Sequence, residues 1–327
     1  MRPSQRFILV GCLLLTACAS SSPAATPTGR RERLPTRMPT ATPTATPVAL
    51  SAADYWQHGV ELQRSGDLDR AERYFDWAIQ IDPSSAPFYV SRGSLHLADN
   101  ETDRALQDAD TALKIDPTSE AYLLRAEALR AMDRHEEALR AFDQALARDA
   151  DLRDRTFRSR WLATRALEDL ERLSALAAEY ASAHPNDPLH YYYQAWPSFE
   201  TDEYRDVIRL LVEGIEGSPD SPAVLWYVLG RAYAGIEAWP EAILSLERAR
   251  ELVEAGDTSL AAHGEQPVAE LFIALGRAYL GADRCSDAET MLAYGLSIGA
   301  PMEKHLATLE EARRCSSSAP STATPVP

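Results

Sequence analysis

What this chain can fold into is set first by a spacing. Aromatic side chains stand at Tyr55, Tyr89, Tyr122, Phe157, Tyr191, Trp226 and Phe272, with successive gaps of 34, 33, 35, 34, 35 and 46 residues. Four residues beyond each comes a position that is usually small: Gly59, Gly93, Ala126, Trp161, Ala195, Gly230 and Gly276. Twelve further on lie Ala71, Ala105, Ala138, Leu173, Val207, Ala242 and Ala288, and seven beyond those Ala78, Ala112, Ala145, Tyr180, Gly214, Ala249 and Gly295. Pro83, Pro117, Pro185 and Pro219 close four of the first five units. A period of this size is the mark of a repeat architecture.

The physical content of one unit comes from its residues. Two amphipathic helices are joined by a short polar turn such as RSGDLDRAE (64–72). The small residue of the first helix faces the small residue of the second, so the two backbones approach closely. Bulky side chains at Phe75, Phe142, Leu211, Leu246 and Leu292 fill the space toward neighbouring units. Proline disfavours helical angles in the residue before it and cannot continue a helix, so IDPS and IDPT end one unit before the next. One pair cannot bury its apolar face alone, and stacking is required.

The stretch VLWYVLGRAYAGIEAWPEAILSLERARE places Trp226, Leu229, Gly230, Tyr233, Ala242, Leu246 and Ala249 in a pattern that resembles the tetratricopeptide repeat. DYWQHGVELQRSGDLDRAERYFDWAIQIDP is similar to it over unit 1. The resemblance implies an all-α fold, a right-handed α-solenoid of about seven helix pairs: 52–85, 86–118, 119–152, 154–187, 188–221, 223–252 and 269–300. Units 4 and 5 depart from the pattern, with Trp161 and Leu173 where small residues belong, so their helices are expected to be pushed apart or tilted. The segment 253–267 breaks the period, either as a lengthened helix followed by a loop or as a partner-specific protrusion. Beyond unit 7, Met302, Leu306 and Leu309 at helical spacing predict a capping helix that shields the last repeat.

By the same resemblance, the first helices line a concave groove that grips a peptide or a partner helix. The second, fifth, ninth, twelfth and thirteenth residues of each unit face it. In this sequence that selects Trp56 and Val60 in unit 1, Arg155, Arg158 and Arg165 in unit 4, Tyr192, Trp196 and Phe199 in unit 5, and Tyr227 and Arg231 in unit 6. Aromatics and arginine are the residues enriched at binding hot spots. The alternative for Trp196 and Phe199 is that they fill space around the degenerate pair. The chaperone-tail clamp of this family needs Lys and Asn at the groove, where unit 1 has Trp56 and Val60.

The chain's ends carry a separate message. ILVGCLLLTACAS (8–20) is an apolar run that follows Arg2 and Arg6 and is too short to span a bilayer, which takes about 20 residues. A basic start, a short apolar core and small residues after it describe an export signal. Leu15-Thr16-Ala17-Cys18 resembles the lipobox of bacterial lipoproteins, which implies a signal peptide of residues 1–17 and a lipid on Cys18; an ordinary secretory signal is the alternative. Residues 18–50, rich in Pro, Thr, Ala and Ser, are too poor in bulky apolar groups to fold and read as a tether. The body is expected over 51–315, and the tail 316–327 is expected to be unstructured.

Export would place Cys285 and Cys315 where disulfides persist. Cys285 opens the second helix of unit 7, and the cap returns antiparallel to Cys315 over a similar length, which brings the two level. A bridge, free thiols and metal ligation are the readings, the last weakened because two isolated cysteines are too few. The net charge of −16 argues against nucleic acid and against general adhesion to anionic lipid headgroups. No catalytic arrangement, phosphate loop, cofactor motif or zinc motif is present; His135 and Glu136 lack the second histidine. The expectation is a non-enzymatic, lipid-anchored scaffold in a bacterial cell envelope that binds a protein or peptide in its groove. A glycan-binding envelope protein, stacking sugar rings on the aromatics of units 4 to 6, is the alternative.

Overall fold

The computed structural model describes residues 50–218, 220–262 and 267–318. The expected signal peptide, the expected lipid site Cys18 and the expected tether as far as Ala49 lie outside the described residues. Within them the chain is helical, with no strand. Seven antiparallel pairs succeed one another: α1 (Ala52–Arg64) with α2 (Leu68–Ile81), α3 (Ala86–Ala98) with α4 (Thr102–Ile115), α5 (Ser119–Ala131) with α6 (His135–Leu146), α7 (Leu152–Ala166) with α8 (Leu170–Ala183), α9 (Leu189–Glu200) with α10 (Tyr204–Gly217), α11 (Ala223–Gly235) with α12 (Trp239–Glu254), and α13 (Pro267–Gly281) with α14 (Cys285–Ser297). A last helix, α15 (Met302–Ser318), closes the array. Each helix packs on its partner in the pair and on the next pair, the connectivity of an α-solenoid.

Local chemistry starts and stops these helices. Ser51 caps α1 by accepting the Asp54 amide at 3.2 Å, while the Asp54 carboxylate accepts the Ser51 amide at 2.8 Å. This reciprocal capping box satisfies two amides that the helix itself leaves open. The Asp67, Thr118 and Asp169 side chains likewise accept a first-turn amide of α2, α5 and α8. Between the two helices of every unit, the fifteenth residue is left-handed: Gly66, Asn100, Asp133, Glu168, Asp202, Glu237 and Asp283, with φ from 55° to 83°. That conformation costs an ordinary L-residue about 1–2 kcal/mol, which the tight turn repays through the packing it permits.

The small-residue columns meet as expected. Ala71, Ala105, Ala138, Ala242 and Ala288 are fully buried, as are Ala78, Ala112, Ala145 and Ala249. At Gly230 the approach is so close that a Cβ would stand 2.6 Å from Leu246 Cγ and 3.0 Å from the Ala242 carbonyl oxygen. In units 4 and 5 the helices of each pair approach one another less closely than in the other units. In unit 4 the bulk of Trp161, which is fully buried with its ring centroid 4.8 Å from that of Tyr193, stands where a small residue would let the helices close; in unit 5 the Tyr191 ring lies against Gly214. Phe157 lies 4.6 Å from Tyr180 and 4.7 Å from Tyr193. An aromatic nucleus replaces the small-residue contact there. One contiguous buried cluster then runs from Phe157 to Ala312, whereas units 1 to 3 hold four smaller ones.

The last helix departs from expectation in two ways. It buries His305, Leu309 and Ala312, while Met302 is 60% and Leu306 40% exposed. The covering face is therefore one turned toward α13 and α14 through His305, not the stripe through Met302 and Leu306. It also runs to Ser318, three residues past the expected boundary. Cys285 and Cys315 are joined in a disulfide with Cα atoms 5.5 Å apart, tying the cap to the start of α14. The segment after unit 6 contains the lengthened helix, α12 with 16 residues, but among the described residues the stretch up to Ala262 is structured too. The chain turns at Gly256 (φ 102°) and forms a 3₁₀ turn, Ser259–Ala262.

Candidate peptide groove

The first helices of successive units touch side by side: α1 with α3, α3 with α5, α5 with α7, and, further along, α9 with α11 and α11 with α13. Their shared surface carries two open clefts. The first, of about 210 Å³, lies across α3, α5 and the start of α7. Val90, Leu97 and Leu123 supply apolar surface, Glu120 and Glu127 two carboxylates, and Arg155 a guanidinium. The second, of about 310 Å³, lies across α9, α11 and α13 and is walled by Phe199, Tyr227, Ile273, Arg231, Arg277 and Glu270. Most of the lining residues occupy the second, fifth, ninth or twelfth place of their unit; Leu124 and Ala274 stand at the sixth, and Tyr204 and Leu246 come from the second helices α10 and α12.

The second cleft has a defined electrostatic frame. The Arg231 guanidinium lies 4.6 Å from the Phe199 ring centroid and 5.6 Å from that of Tyr227. Such a contact attracts through the ring quadrupole, contributing about 0.5–2 kcal/mol according to how dry it is. Arg277 donates to His305 Nδ1 at 3.2 Å, and His305 Nε2 lies 3.5 Å from Glu270. The cap thus holds two groups of the cleft from behind. Burial pushes the Tyr227 phenol above its ordinary range, with Arg231 pulling the other way, so it remains a neutral hydroxyl at physiological pH. Among the described residues no group of three or more His, Cys, Asp or Glu is arranged to hold a metal.

The residues singled out from the sequence fall into three groups. Arg155 lines the first cleft, and Phe199, Tyr227 and Arg231 line the second. Trp56 and Val60 are half-buried, and the Trp56 indole donates to Ser91 Oγ at 2.8 Å, which ties unit 1 to unit 2. Tyr192 and Trp196 are buried, with Arg165 5.1 Å over the Trp196 ring; they belong to the same buried cluster as Phe157 and Trp161 and offer no open face. Phe199 and Tyr227 are also largely covered. Arg158 is exposed and donates to the carbonyl oxygen of Ala261, 103 residues away, at 2.8 Å. Cys18 lies outside the described residues.

Other cleft residues were available to the same positional rule, and apart from Arg277 none is of a type that stands out. Val90, Leu97, Glu120, Leu123 and Glu127 in units 2 and 3, and Glu270, Ile273 and Arg277 in unit 7, occupy the same places in the repeat. Reading the rule through all seven units rather than following aromatics and arginines finds them.

Comparisons with known proteins agree with this geometry. Tetratricopeptide-repeat profiles match residues 57–120 and 119–152. No curated protein sequence matches the chain significantly. Among solved structures, the chain is similar to a tetratricopeptide repeat protein from Parabacteroides merdae, with 15% identity and a TM-score of 0.64, covering 80% of this chain and 98% of that one. It is similar to the C-terminal part of a repeat-containing protein from Cytophaga hutchinsonii, with 15% identity and a TM-score of 0.50, over 78% and 99% of the two chains. A third similarity is to a chain of the APC/C hetero-tetramer Cut9-Hcn1, with 18% identity and a TM-score of 0.55, over 79% of this chain and 48% of that one. Tetratricopeptide repeats in general mediate protein–protein interactions. This chain carries such repeats over residues 57–152, and its helical body is an α-solenoid of the kind that tetratricopeptide-repeat proteins form.

Proposed function

We propose that this protein is a lipid-anchored scaffold on the outer side of a bacterial membrane, holding a polypeptide partner in the groove formed by the first helices of its repeats. The observation that carries the reading is the pair of clefts built from equivalent positions of α3, α5, α7, α9, α11 and α13. Each offers apolar floor with a few charged groups at its edge, the composition of a recognition surface. The assembly named for the Cut9-Hcn1 hetero-tetramer is one use of such a solenoid. The anchor rests on the lipobox-like residues before Cys18, and the Cys285–Cys315 disulfide fits an oxidising compartment. The sugar-stacking alternative loses its platform, because Tyr192 and Trp196 are turned into the core.

Two measurements test the reading. Affinity capture from membranes with the full chain should retain a polypeptide that is lost on Leu123→Asp combined with Arg231→Glu, and kept on the control Glu213→Lys on α10. Retention by the groove variant, or equal loss from the control, removes the groove assignment. Cys18→Ser should move the protein from the membrane fraction to the soluble one and abolish fatty-acid labelling. Persistence on the membrane removes the anchor.

A further inference from the structure

The segment that interrupts the repeat is bound back onto the groove side of the array. It begins where α12 ends, and its 3₁₀ turn packs on α11 and α13. Asp257 accepts the Ala223 amide at 3.0 Å, and Ser259 Oγ accepts the Val224 amide at 3.1 Å, so the segment caps α11 from outside its own unit. Leu260 is 2% exposed and belongs to the large buried cluster that runs from Phe157 to Ala312. The Ala261 carbonyl accepts from Arg158 of unit 4. Arg158, Tyr192 and Tyr227 are the fifth residues of units 4, 5 and 6, a place that faces the groove in a regular array. Their arrangement has one economical account: a short piece of the chain occupies the binding face, with its leucine inward and its backbone held by an arginine.

We infer that Asp257–Ala261 is a resident ligand of the groove in front of units 4 to 6. The partner that fits this face, on the groove-binding reading above, is a short turn-forming peptide with a leucine between small residues. Such a peptide would displace the segment, placing its leucine in the apolar site vacated by Leu260 and a carbonyl oxygen on Arg158. A tethered ligand competes at an effective concentration of about millimolar. Occupancy by the chain itself therefore selects against weak sequences and leaves the two open clefts as first points of contact.

The probe is a fluorescein-labelled peptide of the chain's own residues 256–262, GDTSLAA, titrated to millimolar concentration into the full protein and read by anisotropy. Asp257→Ala with Leu260→Ala loosens the resident segment and should lower the dissociation constant for the peptide at least tenfold; adding Arg158→Ala should reverse that gain. In a second measurement, Arg158→Ala alone should speed amide hydrogen exchange over 257–261 at least fivefold. No tightening in a loosened protein that keeps its helical circular dichroism overturns the inference, and so does unchanged exchange in the Arg158→Ala protein. If the loosened protein loses its helicity, the exchange result decides. Loss of partner capture on Leu123→Asp with Arg231→Glu, alongside no gain here, leaves the groove reading standing and removes only the resident ligand.

Discussion

At the scale of single residues, the fold depends on side chains that are absent as much as on those present. Gly230 has Leu246 and the Ala242 carbonyl where a Cβ would go, and the carbonyl belongs to a helix backbone that cannot step aside cheaply. Gly230→Ala gains about 1 kcal/mol of helix propensity and loses more to overpacking, which costs about 1–3 kcal/mol. The expected result is a net destabilisation of up to about 2 kcal/mol from these two terms, seen as a lower urea midpoint with an unchanged slope; a stabilised variant would show that α11 and α12 can part freely. A charge makes the second case. Hydrogen bonds from Arg160, at 2.9 and 3.0 Å, hold the Glu179 carboxyl below its ordinary 4.5 against the opposing effect of burial. A carboxyl lowered in the folded state stabilises above its unfolded value and stops doing so as pH falls through the folded one. The difference in melting temperature between the wild type and Glu179→Gln should therefore be present at pH 7 and shrink below about pH 4, following that linkage. A gap that stays constant to pH 3 would mean the pair does not stabilise the link between α7 and α8.

At the scale of elements, the disulfide divides what α15 does for itself from what the crosslink does for it. The bridge closes 30 residues between Cys285 and Cys315. A loop of that size contributes about 3.6 kcal/mol in the chain-entropy description. In a stack of repeats that effect stays near the end that carries it. Cys285→Ser with Cys315→Ser should raise hydrogen exchange in α14 and α15 and leave α1 to α6 unchanged; protection lost evenly over the chain would contradict a nearest-neighbour stack. Elements also show which parts of the structure can be read from the residues. The seven pairs come from side-chain size at two recurring places, and the same rule holds in Ala242, Leu246 and Ala249 as in Ala71, Phe75 and Ala78. Where bulk invades the rule, at Trp161, the aromatic positions of the next helix turn inward, and Tyr192 and Trp196 become core. The buried face of the cap escapes an apolar count because His305 scores as polar there, yet it is buried between Arg277 and Glu270. The contact of Arg158 with Ala261 has no periodic trace, since it joins a repeat to a segment outside the repeat.

At the scale of the whole helical body, stability is divided unevenly. Units 4 to 7 share one contiguous buried cluster, rich in the rings of Phe157, Trp161, Tyr192, Tyr193 and Trp196. Units 1 to 3 hold four small, separate clusters, in which alanine alternates with single larger side chains such as Tyr55, Phe75, Phe88 and Phe142. Apolar burial stabilises by about 25 cal/mol per Å², so the half with large rings gains more from each interface it makes. In a quasi-one-dimensional array, units melt according to their own interfaces unless coupling to neighbours is strong. At the boundary, α7 and α8 pack less closely than the two helices of any other unit, and the segment after α12 touches α7, α11 and α13 on the far side of it. Two blocks should therefore unfold in succession. Hydrogen exchange along a urea gradient should expose α1 to α6 at lower denaturant than α9 to α14, with the break falling between α6 and α8. Coincident exposure of both halves at one midpoint would mean that the interface across unit 4 is as strong as those inside each block. The looser middle would then have no mechanical consequence for how a partner bridges the two clefts.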